Sequence, residues 1–338
     1  MARRALVAML VAGAAALALT TVALAAPGGI GPPTPETDSG RAISTVYWVV
    51  FAACAVVFLI IESALLLFIF RFRRRAGVAE DAEGPQIHGN TRLEVIWTII
   101  PAVALAAIAV FVFVRTPAVL ASETENENPL RVRVEAHQFY WQYEYENGVV
   151  SLDTLRIPVG RPVELSIITW DVNHSWWVPA LTGKRDAIAG HKNILRFTPM
   201  REGEYQGECA ELCGVQHAVM HTTVEVLGRS DFDAWLGSAR GEEPQSLGKQ
   251  EWESVCAKCH GLSGEGDVGP AIAGNGTLTN RQALIGLLSE GQDTTQFPDY
   301  MPAVGRGWDG RQYDALIAYI RATPKLREAP AQEATGGG

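Results

Sequence analysis

Two long apolar stretches constrain this chain more than any other feature. Ile43–Phe70 is apolar except for Glu62, and Val95–Val114 contains no charged residue, so each is long enough to cross a bilayer. Between them lie five arginines: Arg71, Arg73, Arg74, Arg75 and Arg92. The positive-inside rule places this connection in the cytoplasm. We therefore predict a two-helix transmembrane hairpin over residues 43–116, with the chain after Arg115 outside the cytoplasm.

The N-terminus has the layout of a secretory signal peptide. Arg3 and Arg4 precede the apolar run Ala5–Leu19, and small residues follow as far as Ala26. This layout predicts a signal peptide over residues 1–26; the alternative is a retained membrane anchor. Residues 27–42 are rich in Pro and Gly and are predicted to be a linker.

Downstream of the hairpin the pattern predicts two further domains. Alternating segments such as Arg131–Val134 and Val163–Ile167 predict an all-β sandwich or barrel over residues 130–228. Residues 229–248 are polar and contain Gly, which predicts a second linker. A helical pattern then predicts a small all-α domain over residues 249–324, closed by a helix at Asp309–Ala322. Residues 325–338 are predicted to be a disordered tail.

Charge and cysteine placement narrow the function. The formal net charge of −9 argues against nucleic acid as a partner, and it suits either a basic partner or simple solubility. Cys54 is alone in an apolar run and is interpreted as a packing residue. The other four cysteines form two close pairs, Cys209/Cys213 and Cys256/Cys259. Such pairs more often bind cofactors than form disulfides.

The first pair lies in a segment rich in soft metal ligands. Within twelve residues the chain offers two thiolates, an imidazole and a thioether: Cys209, Cys213, His217 and Met220. Soft sulfur with imidazole selects copper or zinc, and a distant histidine such as His174 normally completes a copper loop of this kind. One thiolate is in excess for a mononuclear site, and two thiolates can bridge two metals. A structural zinc site that also uses His221 and a disulfide are the alternatives.

The second pair belongs to the sequence Cys256-Ala257-Lys258-Cys259-His260, which is typical of covalent attachment of a c-type haem. The thiols would form thioethers, and His260 would be the proximal iron ligand. A thioredoxin-like motif is the alternative, but it does not require the histidine. Met301 is the only methionine after His260, which favours it as the distal ligand. The segment Trp252–Ala322 resembles a small class I cytochrome c.

Residues 43–228 resemble cytochrome c oxidase subunit II, which has a helix hairpin followed by a cupredoxin-like domain with a dinuclear copper-A centre. The resemblance rests on five segments: Leu93–Pro101, His137–Trp141, Asp171–Pro179, Asp186–Ile188 and Cys209–Met220. It implies the following side-chain copper ligands: His174, Cys209, Cys213, His217 and Met220. Glu211 would bind copper through its carbonyl and, through its carboxylate, a magnesium ion shared with subunit I.

Other positions of the resemblance carry weaker implications. Glu94 matches a glutamate at the cytoplasmic mouth of a proton path. Three histidines match no ligand position and are interpreted as structural or surface residues: His137, His191 and His221. Phe139 stands where the family often has a surface Trp that receives electrons from an external cytochrome c. The usual place of electron delivery is therefore in doubt in this chain.

The complete chain resembles subunit II of a caa3-type oxidase. The resemblance implies a subunit of a proton-translocating enzyme of the bacterial plasma membrane, with its copper and haem domains on the extracytoplasmic side. Electrons would pass from haem c to copper-A and on to subunit I, where oxygen is reduced. No residue of this chain is expected to be catalytic by itself. Expected partners are subunits I and III and, as donor, a cytochrome bc1-type complex or a soluble cytochrome c.

Two other functions remain open from the sequence. A copper-A subunit of a nitric oxide reductase would use the same electron-transfer centres with a different acceptor. A copper-handling or assembly protein would bind the metal without passing electrons, but a fused haem has no purpose there. Quinol oxidases are excluded because their related subunit lacks the copper ligands implied here.

Overall fold

The computed structural model describes residues 31–73, 86, 89–120, 128–239, 244–292 and 300–328. These residues form two compact units. One comprises residues 41–121, and the other comprises the chain up to residue 40 together with residues 122–338. The predicted signal peptide and most of the arginine-rich connection lie outside the described residues.

The first unit contains two long helices, α1 (Asp38–Phe72) and α2 (Thr91–Leu120). Both are long and apolar enough to cross a membrane. Their large apolar side chains, such as Ile60 and Val103, are exposed in the structure, as expected of helices that lipid would surround. The predicted pair of apolar helices is confirmed.

The predicted linker 27–42 is partly wrong. Helix α1 begins at Asp38, whose charge is favourable in a first helical turn. The preceding Glu36 and Thr37 are buried. The backbone N–H of Glu36 donates to the carbonyl of Ala180 at 2.8 Å, and the Thr37 hydroxyl donates to the carbonyl of Leu181. These hydrogen bonds therefore hold Glu36 and Thr37 within the second unit.

The second unit begins with an all-β sandwich of two five-stranded sheets. The strands are β1 (Leu130–His137), β2 (Tyr140–Tyr145), β3 (Val150–Leu152), β4 (Thr154–Pro158), β5 (Val163–Thr169), β6 (His174–Trp177), β7 (Arg185–Ala187), β8 (Asn193–Phe197), β9 (Gly203–Cys209) and β10 (His221–Leu227). One sheet has the order β3-β2-β1-β5-β8, and the other has the order β4-β10-β9-β6-β7.

Alternation of side chains explains why these residues form a sandwich. In β5, Val163, Leu165 and Ile167 are fully buried, while the residues between them are half-exposed. Strand β1 pairs with β5 in parallel, with Val134 opposite Ile167. Buried side chains of both sheets form one core around Trp141 and Trp176, as expected for face-to-face packing. The predicted sandwich is confirmed.

A small helical domain follows the sandwich. Helix α3 (Arg229–Ala239) packs on the sandwich. The helices of the helical domain are α4 (Pro244–Glu251), α5 (Ala257–His260), α6 (Arg281–Glu290), α7 (Gly310–Ala322) and α8 (Pro324–Arg327), with a π-helical turn at Trp252–Cys256 between α4 and α5. Asp309 caps α7 through the backbone N–H groups of Arg311 and Gln312, and the Gln312 side chain accepts a hydrogen bond from the Asp309 backbone in return. This capping box begins the closing helix where the sequence predicted it.

The structure corrects the predicted second linker and the start of the predicted disordered tail, whose residues 329–338 lie outside the described residues. Residues 229–239 form α3, because Phe232, Trp235 and Leu236 recur at helical spacing on one face. Phe232 is 1% exposed, and the Trp235 ring lies 5.2 Å from that of Tyr145. The described part of the predicted tail begins with α8, where Leu326 is 1% exposed. Burial of single apolar side chains thus orders segments whose composition is mainly polar.

The helical domain shares a core with the sandwich. Tyr140 and Leu152 of the sandwich pack in one cluster with Trp308 and other residues of the helical domain. The Tyr140 hydroxyl donates to the carbonyl of Val304 at 2.6 Å and accepts from the Trp308 indole at 2.8 Å. The two domains therefore pack as one body and do not behave as a pair joined only by a tether.

Candidate copper and haem sites

The predicted copper ligands converge at one end of the sandwich. Cys209 ends β9, and the loop that follows returns Cys213, His217 and Met220 to it before β10 begins. The two cysteine sulfurs are 3.9 Å apart. The Cys213 sulfur is 3.6 Å from His217 Nδ1 and 3.8 Å from Met220 Sδ. Two thiols, an imidazole and a thioether thus surround one small volume.

His174 reaches the same cluster from β6. Its Nδ1 lies 3.8 Å from the Cys209 sulfur, while its Nε2 lies 2.8 Å from an Asp171 carboxylate oxygen. The Asp171 side chain also accepts the backbone N–H of Gln138 at 2.7 Å. A carboxylate behind a ligating histidine fixes the orientation and tautomer of its ring. No role was predicted for Asp171, although it lies in a segment that supports the resemblance.

The electrostatics of the cluster favour a metal thiolate. The hydrogen bond from Cys213 lowers the pKa of Cys209 to about 3, and the same contact raises the pKa of Cys213. Burial alone would lower the pKa of His174, but its hydrogen bonds to Asp171 and Cys209 raise the value overall. One thiol thus ionises easily, and a cation between the sulfurs would replace the proton that they share.

The alternative uses of these residues fit less well. Both cysteines are free thiols, and their sulfurs are much farther apart than a bonded pair, which needs about 2.05 Å. A zinc site with His221 is not assembled, because that side chain is exposed while His174 joins the cysteines. The soft donor set, with the Met220 sulfur included, fits copper.

The backbone carbonyl and the side-chain carboxylate of Glu211 lie in different surroundings. Its backbone carbonyl lies 3.2 Å from the Cys209 sulfur, at the edge of the cluster. Its carboxylate is 47% exposed and lies 3.6 Å from the Lys184 ammonium, which also contacts Asp186. The carbonyl and the carboxylate can therefore take part in separate interactions.

A cavity of about 520 Å³ occupies the helical domain. This volume lies within the range of roughly 300–1,000 Å³ that is typical of cofactor sites. All four residues predicted to hold haem line it: Cys256, Cys259, His260 and Met301. The rest of the lining is mostly apolar. Burial raises the pKa of the Cys256 thiol to about 12, so this thiol is uncharged in the cavity.

His260 is oriented for metal binding. Its Nδ1 lies 2.8 Å from the Pro270 carbonyl, which leaves Nε2 for a ligand. A Cβ atom at Gly269 would come within 2.9 Å of the His260 ring, so only glycine lets the backbone pass this closely. Met301 is held by two backbone hydrogen bonds with Gln292, at 2.9 and 3.2 Å. These residues fit a haem with histidine and methionine ligands.

Several contacts join the copper end of the sandwich to the haem-binding domain. The Lys258 ammonium lies 2.5 Å from an Asp153 carboxylate oxygen and 3.0 Å from the Phe139 carbonyl. Gln138 donates to the Cys213 carbonyl at 2.6 Å and accepts from the Tyr300 hydroxyl at 3.1 Å. Sequence reasoning missed these bridging roles. Of these bridging residues, only Lys258 lies inside a motif that the sequence analysis had singled out, the haem-attachment motif.

Position 139, where the family often has a surface Trp, is buried in this chain. Phe139 is 6% exposed and belongs to the sandwich core, and its carbonyl accepts the hydrogen bond from Lys258. The Lys258 contact therefore brings the haem-attachment motif next to the position where the family often receives an external donor.

The remaining sequence candidates lie away from the two sites. At the start of α2, the Glu94 carboxylate accepts the backbone N–H of Asn90 at 3.1 Å. His137 is fully buried and stacks on Tyr140 with ring centroids 4.7 Å apart. His191 and His221 are exposed. The interpretation of these three histidines as structural or surface residues agrees with their positions.

Comparisons with known proteins agree with the geometry. Family profiles match "Cytochrome C oxidase subunit II, transmembrane domain" over residues 38–114 and "Cytochrome C oxidase subunit II, periplasmic domain" over residues 151–227. A third, "Cytochrome C oxidase, cbb3-type, subunit III", matches residues 243–320.

Individual proteins give the same result over longer spans. "Cytochrome c oxidase subunit 2" of Alkalihalophilus pseudofirmus is 33% identical over 79% of this chain and 83% of its own length. The protein of the same name from Bacillus sp. (strain PS3) is 27% identical over 66% and 68%. A crystal structure of the periplasmic domain of subunit II of cytochrome oxidase from Bradyrhizobium japonicum is 26% identical, covers 34% of this chain and 96% of that one, and has a TM-score of 0.33. The chain belongs to the cytochrome c oxidase subunit II family and carries a C-terminal cytochrome c domain.

Proposed function

We propose that this chain is subunit II of a caa3-type haem–copper oxidase. It would pass electrons from its own c-type haem to a dinuclear copper-A centre and on to subunit I, where oxygen is reduced. The observation that carries this proposal is the packing of two preformed cofactor sites into one compact unit. When bound, the haem and the copper pair supply the electron-transfer chemistry.

In this proposal, the copper loop and β6 hold both copper ions. Cys209 and Cys213 would bridge them, His174 and His217 would each bind one, and the two weak ligands would be Met220 and the Glu211 carbonyl. The separations of 3.6–3.9 Å among these sulfur and nitrogen atoms support this assignment, because every donor faces the same volume. The chain's own contribution is to hold the donors together and to exclude water.

The haem-binding residues would hold one covalently attached haem. Cys256 and Cys259 would attach it, and His260 and Met301 would be its iron ligands. The hydrogen bond from His260 to the Pro270 carbonyl supports iron binding through Nε2. Two axial protein ligands leave no open iron position, which favours electron transfer over catalysis at this haem.

The proposed order, haem first and copper second, is supported by the contacts at Phe139 of the copper domain. Because Phe139 is buried and its carbonyl is bound by Lys258, an external donor would deliver electrons to the haem-binding domain first. That donor would be a soluble cytochrome c or a cytochrome bc1-type complex. The net charge of −9 supports a basic donor.

Further parts of the proposal concern partners and location. Leu212 and Val215 of the copper loop are 79% and 66% exposed, and such apolar surface supports contact with subunit I. The exposed Glu211 carboxylate supports a magnesium ion shared with that subunit. Glu94 would lie at the cytoplasmic mouth of a proton path, and subunit III would complete the complex. The location would be the bacterial plasma membrane, with both cofactor domains outside.

The proposal is tested with the complex purified from membranes. Mixing with reduced soluble cytochrome c in a stopped-flow instrument should reduce the haem before the copper, each followed by its own absorbance. Reduction of copper first would contradict the order. Oxygen consumption without comparable nitric oxide consumption is expected, since the family identified is that of oxygen reductases; the reverse would favour a nitric oxide reductase.

A further inference from the structure

The contact between the copper loop and the haem-attachment segment is made by one buried amide. Gln216 directly precedes His217 in the copper loop and is 9% exposed. Its Nε2 donates to the carbonyl of Lys258 at 3.4 Å. Burial raises the pKa of the adjacent Cys259 thiol, and a hydrogen bond from Gln216 to its sulfur counteracts that rise. A single side chain thus touches the segment that holds the haem and adjoins a copper ligand.

Both ends of this contact are held in place. On the copper side, the Gln216 carbonyl accepts the backbone N–H of Val219 at 3.1 Å, which closes the turn that contains His217. On the haem side, the Lys258 ammonium is fixed by Asp153 and by the Phe139 carbonyl. The gap between the two segments therefore has a defined width.

A second amide offers a longer connection. Gln138 links the Cys213 carbonyl to the Tyr300 hydroxyl, and Tyr300 precedes Met301. An electron on this route would cross the aromatic side chain, the glutamine and two hydrogen bonds. Electron tunnelling weakens exponentially with distance and weakens less through covalent and hydrogen bonds than across gaps. The route from Cys259 to His217 through Gln216 crosses one side chain and one hydrogen bond, so it couples the sites more strongly.

We propose that Gln216 is the bridging residue through which an electron passes from the haem-binding domain to the copper loop. One electron leaves the reduced haem and reaches the oxidised copper pair, with no bond made or broken and no proton transferred by the amide. Gln138 holds the copper loop against Tyr300 through its two hydrogen bonds, and it contributes little to electron transfer. This inference rests on the proposed function, because it assumes that the haem is the donor.

The test uses the complete oxidase with Gln216→Leu, which keeps a side chain of similar size and removes the amide. Photoreduction of the haem is followed by its reoxidation, which measures electron transfer within the chain directly. Midpoint potentials of both centres and hydrogen exchange of residues 209–220 are measured in parallel. We expect transfer to slow several-fold while the potentials and the exchange protection stay as in the wild type.

Gln312→Leu is the matched control. Gln312 is also a buried glutamine that donates across the domain contact, to Gln142 at 2.8 Å, and its side-chain oxygen accepts a hydrogen bond from the Asp309 backbone rather than from the copper loop. This variant should transfer electrons at the wild-type rate. Equal slowing in both variants would overturn the proposal, because it would indicate an effect of domain packing alone.

Other outcomes separate the inference from the function on which it rests. If the wild type transfers electrons rapidly and Gln216→Leu does the same, the bridge is refuted and the function stands. If the wild-type haem does not pass its electron to copper, the proposed function fails first. Should Gln216→Leu not take up copper, Gln216→Asn gives the same test, because it keeps the amide but is too short to reach Lys258.

Discussion

Replacing Lys258 by Met should weaken the attachment of the haem-binding domain to the sandwich. Lys258 is the lysine of the haem-attachment motif. Its ammonium lies at the contact between the two domains, 2.5 Å from an Asp153 carboxylate oxygen. Its ammonium also donates to the Phe139 carbonyl at 3.0 Å. Methionine has a similar length and shape, so the substitution removes the charge and both hydrogen bonds with little change in packing.

The magnitude follows from the burial of the pair. Hydrogen bonds to charged groups contribute about 1.5–3 kcal/mol, and removing one partner of a buried ion pair costs about 3–5 kcal/mol. The Lys258 and Asp153 side chains remain 19% and 20% exposed, so water stabilises part of the abandoned carboxylate. We therefore expect a loss of about 2–3 kcal/mol in the free energy of unfolding of the haem-binding domain.

The loss should depend on pH. Burial raises the pKa of the Asp153 carboxyl, and the charge of Lys258 counteracts part of the rise. A folded-state pKa above the unfolded value means that the protonated carboxyl contributes stability at acid pH, and that this contribution is lost as the pH rises through the folded-state pKa. Without Lys258 the pKa rises further. The variant should therefore lose more stability at neutral pH than at acid pH, where Asp153 is protonated in both proteins.

Urea unfolding of the complete chain in detergent, followed by tryptophan fluorescence at several pH values, measures these losses. Lys249→Met is the matched control, because its contact with Glu253 is 3.8 Å long and exposed, and such pairs contribute little. Equal losses in the two methionine variants, or a loss at Lys258 that does not change with pH, would refute the reasoning.

Four further outcomes are expected. Cys213→Ser should lower bound copper from two ions per haem to at most one by metal analysis, since one of the bridging thiolates is removed. Met301→Ala should lower the haem midpoint potential in a redox titration and leave covalent attachment intact, because the thioether favours ferrous iron. Tyr140→Phe should reduce the free energy of unfolding by about 1–3 kcal/mol in urea titrations, as Trp308 and Val304 lose their buried partner. Higher salt should slow reduction by a basic external donor and leave transfer within the chain unchanged in flash kinetics, because exposed charges are screened and the internal contact is buried.

The two cofactor sites were predictable because their residues are close in sequence. Four copper-type donors lie within twelve residues, and the haem-attachment motif lies within five, so short loops are enough to bring them together. His174 is distant in sequence, and it was expected because a copper loop of this kind normally takes a histidine from an earlier segment. In the structure the copper-type donors lie together, the four haem candidates line one cavity, and Asp171 hydrogen-bonds to His174.

The contact between the domains could not be predicted in the same way. Gln138, Gln216 and Asp153 are ordinary polar residues in sequence, and a hydrogen bond between distant segments leaves no periodic pattern. The helix at Arg229–Ala239 was missed for a related reason. Its polar and glycine content favours a linker, and the burial of Phe232 decides the outcome only when the sandwich is present.

The shared core changes what the fused domain does for the copper domain. A domain on a loose tether gains its advantage from high effective concentration, and it still has to find its docking surface at every turnover. In this chain Tyr140 and Leu152 of the sandwich are buried in the core of the haem-binding domain, so the two domains are already in contact. At Phe139, the position where the family often receives electrons from outside, the backbone carbonyl accepts a hydrogen bond from Lys258 of the haem-binding domain. Under the proposed electron route, this contact would both deliver electrons within the chain and hinder an external donor at Phe139, and a mutation that loosens it should weaken the first and restore access to the second.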